Sequence, residues 1–251
     1  MKHLRATLFI IAVIAFSVPL TTLIVICWHL PWSWRVTLSM AWRRCFMASV
    51  RGILGIHMKI KGRENIPPGP CIILSKHQSA WETVAVQEVF HPRWLVFVLK
   101  RELIKLPFIG WALAATRMIS IDRSAGSTAL EQIVEQGRNR LEAGFSIVVF
   151  PEGTRVAPGT SRRYKGGGAH LAIATGYPVV PVAHNAGELW PRNAFVKTPG
   201  TVTLSVGPAI DPAGKSVDAL TREVESWIEG EMRVISPQRY GAKAAVDAAA
   251  D

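Results

Sequence analysis

Short apolar runs rich in β-branched residues alternate with stretches of helical periodicity between residues 56 and 232. This alternation predicts an α/β fold, in which a mixed, largely parallel sheet is flanked by helices. The predicted strands are 56–61, 71–75, 95–99, 118–121, 146–150, 179–183 and 201–206. The predicted helices are 81–90, 108–115, 128–143, 169–175 and 217–232.

The N-terminal region has a different pattern. Residues 8–27 carry no charge, and about 20 apolar residues suffice for a helix to cross a bilayer. Pro19 is compatible with a membrane helix, and an aromatic cluster follows where an interfacial belt belongs: Trp28, Trp32, Trp34 and Trp42. A cleaved signal peptide is disfavoured, because its apolar region spans only ~7–15 residues. The pattern predicts an N-terminal membrane-anchoring helix.

A second mostly apolar stretch, 34–56, carries Arg35, Arg43, Arg44 and Arg51. Such a basic helix suits an anionic lipid surface, and a turn at 31–33 would make the two stretches a helical hairpin. A full span and a hairpin within one leaflet both remain open. We therefore expect a membrane anchor at 1–57, a catalytic domain at 58–240 and a disordered Ala-rich tail at 241–251.

Charge supports the same interpretation. The chain has a formal net charge of +11 and a pI near 10.1, and no Asp or Glu precedes Glu64. Nucleic acid is a common partner of basic chains, but here the cations concentrate around an apolar anchor and no nucleic-acid motif is present. We expect an anionic membrane surface and no nucleic acid as partner. The three cysteines have neither disulfide nor metal-ligand spacing, which favours a reducing compartment.

His77 follows the predicted strand 71–75, where ligands bind in open α/β sheets. A neutral imidazole there can accept the proton of an alcohol. Glu82, five residues later, is placed to orient that ring. Because 79–82 also fits a capping box, a purely structural Glu82 remains open.

The block Phe150-Pro151-Glu152-Gly153-Thr154-Arg155 follows another buried strand. Pro151 and Gly153 predict a turn, and Arg155 can grip a phosphate with two hydrogen bonds. A surface turn with a structural pair of Glu152 and Arg155 is the alternative. Downstream, Lys165 and the glycines 166–168 open a predicted helix, whose N–H groups suit an anion or simply form a turn.

Four ordered blocks resemble the 1-acyl-sn-glycerol-3-phosphate (lysophosphatidic acid) acyltransferases of the bacterial glycerolipid acyltransferase family. The similarity extends from about residue 56 to residue 183. The blocks are His77 to Glu82, Ile121-Asp122-Arg123, the complete Phe-Pro-Glu-Gly-Thr-Arg block at 150–155, and Val179-Val180-Pro181-Val182. Glu82 is a departure, because the family usually has Asp there.

The resemblance implies transfer of a fatty acyl group from a thioester to the sn-2 hydroxyl of 1-acyl-sn-glycerol 3-phosphate, making phosphatidic acid. His77 would be the general base and Glu82 its orienting partner. Substrate-binding roles would fall to six residues. Either Lys100 or backbone N–H groups would stabilise the oxyanion, and Arg155, with Arg123 as second candidate, would hold the phosphate. Glu152 would bind the glycerol backbone or anchor Arg155, with Gly153 and Thr154 beside it. No metal or cofactor is expected. The thioester would be acyl-ACP (acyl carrier protein) or acyl-CoA.

The resemblance also implies a bacterial inner membrane location with the catalytic domain facing the cytoplasm, where thioesters are made. Three alternatives remain open. The acceptor would instead be glycerol 3-phosphate or a lyso-ornithine lipid, the protein would bind lipid without catalysis, or a hydrolase would use the same histidine to activate water.

Overall fold

The computed structural model describes residues 1–106, 109–122 and 127–241. Within them, seven strands form one sheet in the order β1-β7-β6-β2-β5-β3-β4. The strands are β1 (Ile56–Lys61), β2 (Ile72–Ser75), β3 (Leu95–Lys100), β4 (Ile119–Ile121), β5 (Ser146–Val149), β6 (Val179–His184) and β7 (Gly200–Val206). All seven predicted strands are present, with ends that differ by at most one residue from the prediction.

The sheet is mixed and largely parallel, as predicted. The strands β6, β2, β5, β3 and β4 are parallel neighbours. β7 runs antiparallel to β6, and β1 is parallel to β7. The central strands β2, β5 and β6 are buried at every position, because helices cover both faces of the sheet. Apart from one polar residue at an end of each strand, their sequences are therefore continuous apolar runs without alternation.

Nine α-helices accompany the strands among the described residues. They are α1 (Lys2–Ile26), α2 (Trp32–Ser49), α3 (Glu82–Val89), α4 (Arg101–Ile104), α5 (Ile109–Ala115), α6 (Ser127–Glu142), α7 (Gly167–Thr175), α8 (Ala186–Leu189) and α9 (Val217–Ile235). α4 and α8 were not predicted. Each is a single turn, which is too short to display a helical period.

Two apolar layers sandwich the sheet. On one face, α6, α7 and α9 supply Leu141, Leu171 and Ile228 to a core shared with Ile72 and Ile147. On the other face, α3 contributes Val86 and Val89. α9 is strongly amphipathic, since its buried residues Leu220, Val224, Ile228 and Met232 recur every four positions.

The N-terminal helices form a hairpin. α1 packs against both α2 and α5, and a short 3-10 turn at Cys27–His29 joins α1 to α2. Trp42 Nε1 donates a 2.8 Å hydrogen bond to Ser17 Oγ. Arg43 of α2 forms a 3.0 Å ion pair with Glu88 of α3. The hydrogen bond joins the two helices of the hairpin, and the ion pair attaches the hairpin to the α/β domain.

One helical stretch in the described chain is long and apolar enough to cross a membrane, the segment 2–29, whose most apolar window of 18 residues has a mean hydropathy of 2.7. Only 11% of its most apolar window is buried within the protein. This stretch therefore suits association with a membrane. Arg123, residues 107–108 and all of the expected tail 241–251 except Gly241 lie outside the described residues.

Candidate active site

Several candidate residues meet at one edge of the sheet. β2, β5 and β3 are parallel neighbours, so their carboxyl ends lie side by side. His77 follows β2, the block 150–155 follows β5, and Lys100 ends β3. The order of the strands in the sheet thus brings together residues that are far apart in the chain.

His77 and Glu82 form a close pair. His77 Nδ1 lies 2.6 Å from Glu82 Oε1, while Glu82 is completely buried. The imidazole stacks on the ring of Phe150 with 4.0 Å between centroids. The carboxylate and the aromatic ring together fix the orientation of the imidazole, so that Nε2 lies on the side of the ring opposite Glu82.

Glu82 also caps helix α3. Its carboxylate accepts hydrogen bonds from the backbone N–H of Ser79 at 2.8 Å and of Gln78 at 3.3 Å. Ser79 Oγ accepts one from the N–H of Trp81. The capping role and the contact with His77 are therefore made by one carboxylate. Burial raises the pKa of Glu82 to about 7, although the charge of Arg155 acts in the opposite direction.

The turn after β5 holds the backbone of His77 from both sides. Glu152 Oε2 accepts a 2.7 Å hydrogen bond from the His77 N–H, and the N–H of Val156 donates to the His77 carbonyl at 2.8 Å. Gly153 adopts φ +72° in this turn, a conformation that glycine reaches without strain. The turn therefore fixes the position of His77.

The side chain of Glu152 points into the protein. A substrate-binding role was expected for this residue from the family resemblance, but its side chain is fully buried. Its second oxygen, Oε1, lies 2.7 Å from Lys76 Nζ. In this geometry Glu152 holds the backbone of His77 from the interior of the protein.

Lys76 was not recognised from the sequence, yet it is one of the largest fully buried side chains. Its ammonium contacts Glu152 and, at 2.6 Å, Glu229 of α9. Tyr164 donates a hydrogen bond to the same Glu229. Burial by itself lowers the pKa of Lys76, but the nearby carboxylates hold it above its usual value. The network links α9 to the residue that precedes His77.

A second buried histidine, His184, ends β6. Its Nε2 lies 2.8 Å from the carbonyl of Lys76, and the N–H of Ala186 donates to Nδ1. Burial lowers the pKa of His184. A neutral ring with the proton on Nε2 satisfies both contacts, so His184 braces the loop before His77.

Three cations line the same cavity as His77: Arg155, Arg192 and Lys100. Arg155 Nε is buried and has no hydrogen-bond partner among the described residues. Arg192 donates to Thr154 Oγ1 and to the Arg155 carbonyl, each at 3.4 Å. Lys100 is exposed and pairs with Glu102 at 3.0 Å, an ion pair of little net energy. The cluster suits an anionic group.

A cavity of about 710 Å³ opens beside His77. It runs between β3 and the helices α1, α2, α3 and α5, and most of its lining is apolar. Residues from four of these elements illustrate its walls: Val13, Val84, Phe97 and Leu113. The lining of the cavity includes both Lys100, the last residue of β3, and Trp94, the residue before β3. These residues are six positions apart, which corresponds to ~20 Å along an extended strand at ~3.3 Å per residue. The cavity is therefore longer than the ~15 Å of hydrocarbon in one leaflet.

The structure brings together most of the predicted site residues: His77, Glu82, Lys100, Gly153, Thr154 and Arg155. Arg123 lies outside the described residues. Lys76, His184 and Arg192 were missed. Lys76 offered a signal in the sequence, because it is a charged residue directly after an apolar strand and directly before His77. Arg192 offered none, since it lies in an irregular segment.

Comparisons with known proteins match the part of the chain that contains these residues. A family model described as Acyltransferase matches residues 57–185, which contain His77, Glu82 and the block 150–155. A 1-acyl-sn-glycerol-3-phosphate acyltransferase from Pseudomonas aeruginosa is 44% identical over 199 residues, 78% of this chain and 77% of that protein.

More distant relatives carry the same name. The enzyme of Limnanthes douglasii is 31% identical over 76% of this chain and 68% of its own. The human beta form is 29% identical over 67% of this chain and 61% of its own. The crystal structure of the 1-acyl-sn-glycerophosphate (LPA) acyltransferase PlsC from Thermotoga maritima shares the fold, with a TM-score of 0.70, 23% identity and coverage of 93% and 97% of the two chains. The family match and the Pseudomonas relative establish that this chain belongs to the acyltransferase family.

Proposed function

We propose that the protein transfers a fatty acyl group from an acyl thioester to the sn-2 hydroxyl of 1-acyl-sn-glycerol 3-phosphate, forming phosphatidic acid. The observation that carries the proposal is the His77–Glu82 pair, 2.6 Å apart, at the mouth of a long apolar cavity that also contains Arg155. The relatives named above carry out this reaction by name.

His77 is the general base of the proposed reaction. Its Nε2 takes the proton of the sn-2 hydroxyl as the oxygen attacks the thioester carbonyl. Glu82 stabilises the imidazolium that forms. The tetrahedral intermediate then collapses, the C–S bond breaks, and the imidazolium returns the proton to the departing thiolate. No acyl-enzyme is required.

The cations have a separate task. Arg155, assisted by Arg192, holds the acceptor phosphate through charge-assisted hydrogen bonds. Arg155 Nε is buried and lacks a hydrogen-bond partner within the part of the chain that the structure describes. This supports the role, because a buried donor without a partner is costly. Lys100 is a donor to the oxyanion. Good orientation of two bound substrates can contribute ~7–11 kcal/mol to the rate.

The cavity holds a fatty acyl chain of one of the two substrates. Its walls include α1, the helix with the composition of a membrane segment, so a lipid substrate reaches the site from a bilayer. The donor is acyl-ACP or acyl-CoA, and both acidic carriers suit a chain of net charge +11. Because such thioesters are cytosolic, the domain faces the cytoplasm of a bacterial inner membrane. The three free cysteines agree with a reducing compartment.

Acyl transfer in detergent micelles tests the proposal. The acceptors are lysophosphatidic acid, glycerol 3-phosphate, a lyso-ornithine lipid and 1-monoacylglycerol, each with acyl-ACP and acyl-CoA. We expect turnover with lysophosphatidic acid. Arg155→Ala should raise its KM by about 10-fold to 100-fold, the value of a lost charged hydrogen bond, with Arg222→Ala on α9 as a matched control. Turnover only with an acceptor that lacks phosphate would overturn the assignment of the acceptor. No turnover with any pair would favour a lipid-binding protein.

A further inference from the structure

The segment from α4 to α5 exposes large apolar side chains. Leu103 and Leu106 are 40% and 47% exposed, and Trp111 is 49% exposed. Single exposed apolar residues are ordinary on soluble proteins, but here three occur within nine positions of one short segment. Clusters of this kind mark interaction surfaces.

This exposed surface continues onto α1. α5 packs directly against α1, and α1 carries an uncovered apolar stripe made of Leu8, Ile11, Ile14 and Val18. These residues recur every three or four positions and therefore share one side of the helix. α1 is also the stretch with the length and composition of a membrane helix. The apolar surface of the α4–α5 segment is thus an extension of that of α1.

Charge around the segment points to lipid as the occupant. The described parts of 100–117 contain four cationic residues and one carboxylate: Lys100, Arg101, Lys105 and Arg117, and Glu102. Arg117 lies over the ring of Trp32 at 4.8 Å from its centroid. Apolar side chains bordered by cations and tryptophan are the combination that binds an anionic membrane interface.

The same segment forms a wall of the cavity. Leu103 and Leu113 line it together with Thr21 and Ile24 of α1. The wall of the cavity and the exposed apolar surface therefore meet where α1 and the α4–α5 segment lie side by side. A chain that passes between them moves from lipid to the side of His77 without crossing water.

We propose that residues 101–106 and 109–115 form a second bilayer contact beside α1, which opens the cavity directly to the acyl chains of one leaflet. The occupant of this surface is an anionic phospholipid bilayer. The inference rests on the proposed function for the identity of the lipid that enters, but the position of the segment in the membrane is independent of turnover.

Depth measurements test the contact directly. Cys27, Cys45 and Cys71 are replaced by Ala or Ser, and one cysteine is introduced at Leu106, at Ile11 on α1, or at Val234, which is an exposed apolar residue of α9. Each variant is labelled with a fluorophore in vesicles of phosphatidylethanolamine and phosphatidylglycerol. Brominated acyl chains should quench the labels at 106 and 11 and leave the label at 234 unchanged. A label at 106 that behaves like the one at 234 overturns the proposal.

A kinetic comparison tests the entry route. Leu106→Glu should raise the KM for long-chain lysophosphatidic acid in vesicles several-fold, because a charged side chain at this position disfavours insertion of the segment into the bilayer. It should leave kcat/KM for a water-soluble short-chain acceptor unchanged. Val234→Glu is the matched control and should change neither. An equal loss with both acceptors, or no loss in vesicles, contradicts the entry route. If the unmodified protein shows no turnover, the proposed function fails while the depth measurement still decides the contact.

Discussion

The Oε2 atom of Glu152 accepts a 2.7 Å hydrogen bond from the backbone N–H of His77, a residue 75 positions earlier in the chain. This bond ties the turn after β5 to the loop after β2. Glu152 in turn lies 2.7 Å from Lys76 Nζ. The position of the imidazole therefore depends on an ion pair whose two side chains are completely buried.

Removing one partner of that ion pair should destabilise the protein more than removing both partners. Lys76→Met leaves Glu152 buried without its cation, and the loss of one partner of a buried pair costs ~3–5 kcal/mol. The double variant Lys76→Met with Glu152→Gln should recover part of this loss. Urea unfolding in detergent of the native protein, the two single variants and the double variant measures the coupling energy between the two side chains. Additive losses in the double variant would show that the two side chains act independently.

Glu82 should make the protein less stable as pH rises. Its pKa in the folded protein is about 7, against an ordinary value of 4.5, so the folded state binds the proton more tightly. This contribution is fully present below pH 4.5 and is lost as pH rises through 7. A shift of this size corresponds to roughly 3 kcal/mol.

Thermal unfolding of the native protein and of Glu82→Gln, at pH 5 and pH 8, measures this contribution. Burial also raises the pKa of Glu152 to about 7. That carboxyl is present in both proteins, so its contribution to the pH dependence cancels in the comparison. The native protein should lose more stability than the variant between the two pH values. Equal losses would mean that the Glu82 carboxyl keeps an ordinary pKa.

Activity should change with pH in the opposite direction. Below about pH 7, Glu82 takes up a proton and no longer stabilises a cationic His77, so kcat/KM should fall as pH is lowered. The apparent pKa of this limb belongs to the His77–Glu82 pair. Glu82→Gln should lower kcat by ~100-fold or more, and Glu82→Asp should lose less because it retains the charge. A Gln variant with an unchanged pH profile would remove Glu82 from the reaction.

Filling the far end of the cavity should shorten the acyl chain that the protein accepts. Thr116 lines the cavity and is buried. The next residue, Arg117, lies over the ring of Trp32, which packs against Trp94. Each methylene denied burial costs ~0.8 kcal/mol, so the space of two or three carbons lowers kcat/KM for the longest chains by about 15-fold to 60-fold.

The variants for this test are Thr116→Trp and, as a control of nearly equal shape, Thr116→Val. Chain length is varied in the donor and in the acceptor separately. A shift in one series identifies the substrate whose chain occupies the cavity. An unchanged preference in both series would contradict the assignment of the cavity to an acyl chain.

The sequence was sufficient to predict the strands and their largely parallel arrangement. Runs such as 147–149 are apolar at every position, because both faces of the sheet are covered. His77, Glu82 and Arg155 were predictable because local spacing and the block 150–155 carry their signal. The two roles of Glu82 were also visible in its capping pattern.

Other parts of the site depend on contacts that no local pattern records. Glu152 looked like a substrate ligand because a carboxylate in a turn is usually exposed, and the cation that draws it inward lies 76 positions away. Glu229 reaches the same lysine from α9. The cavity is built from α1, α2, α3, α5 and β3, so its lining emerges only when all five elements pack together.

The central claim is that His77 removes the proton of the acceptor hydroxyl. The most direct measurement compares kcat of the native protein and of His77→Ala, both purified in detergent, with lysophosphatidic acid and an acyl thioester, after circular dichroism has verified that both are folded. The account predicts a loss of at least ~100-fold in kcat with little change in the KM for the acceptor. Turnover by His77→Ala within a few-fold of the native rate would contradict it.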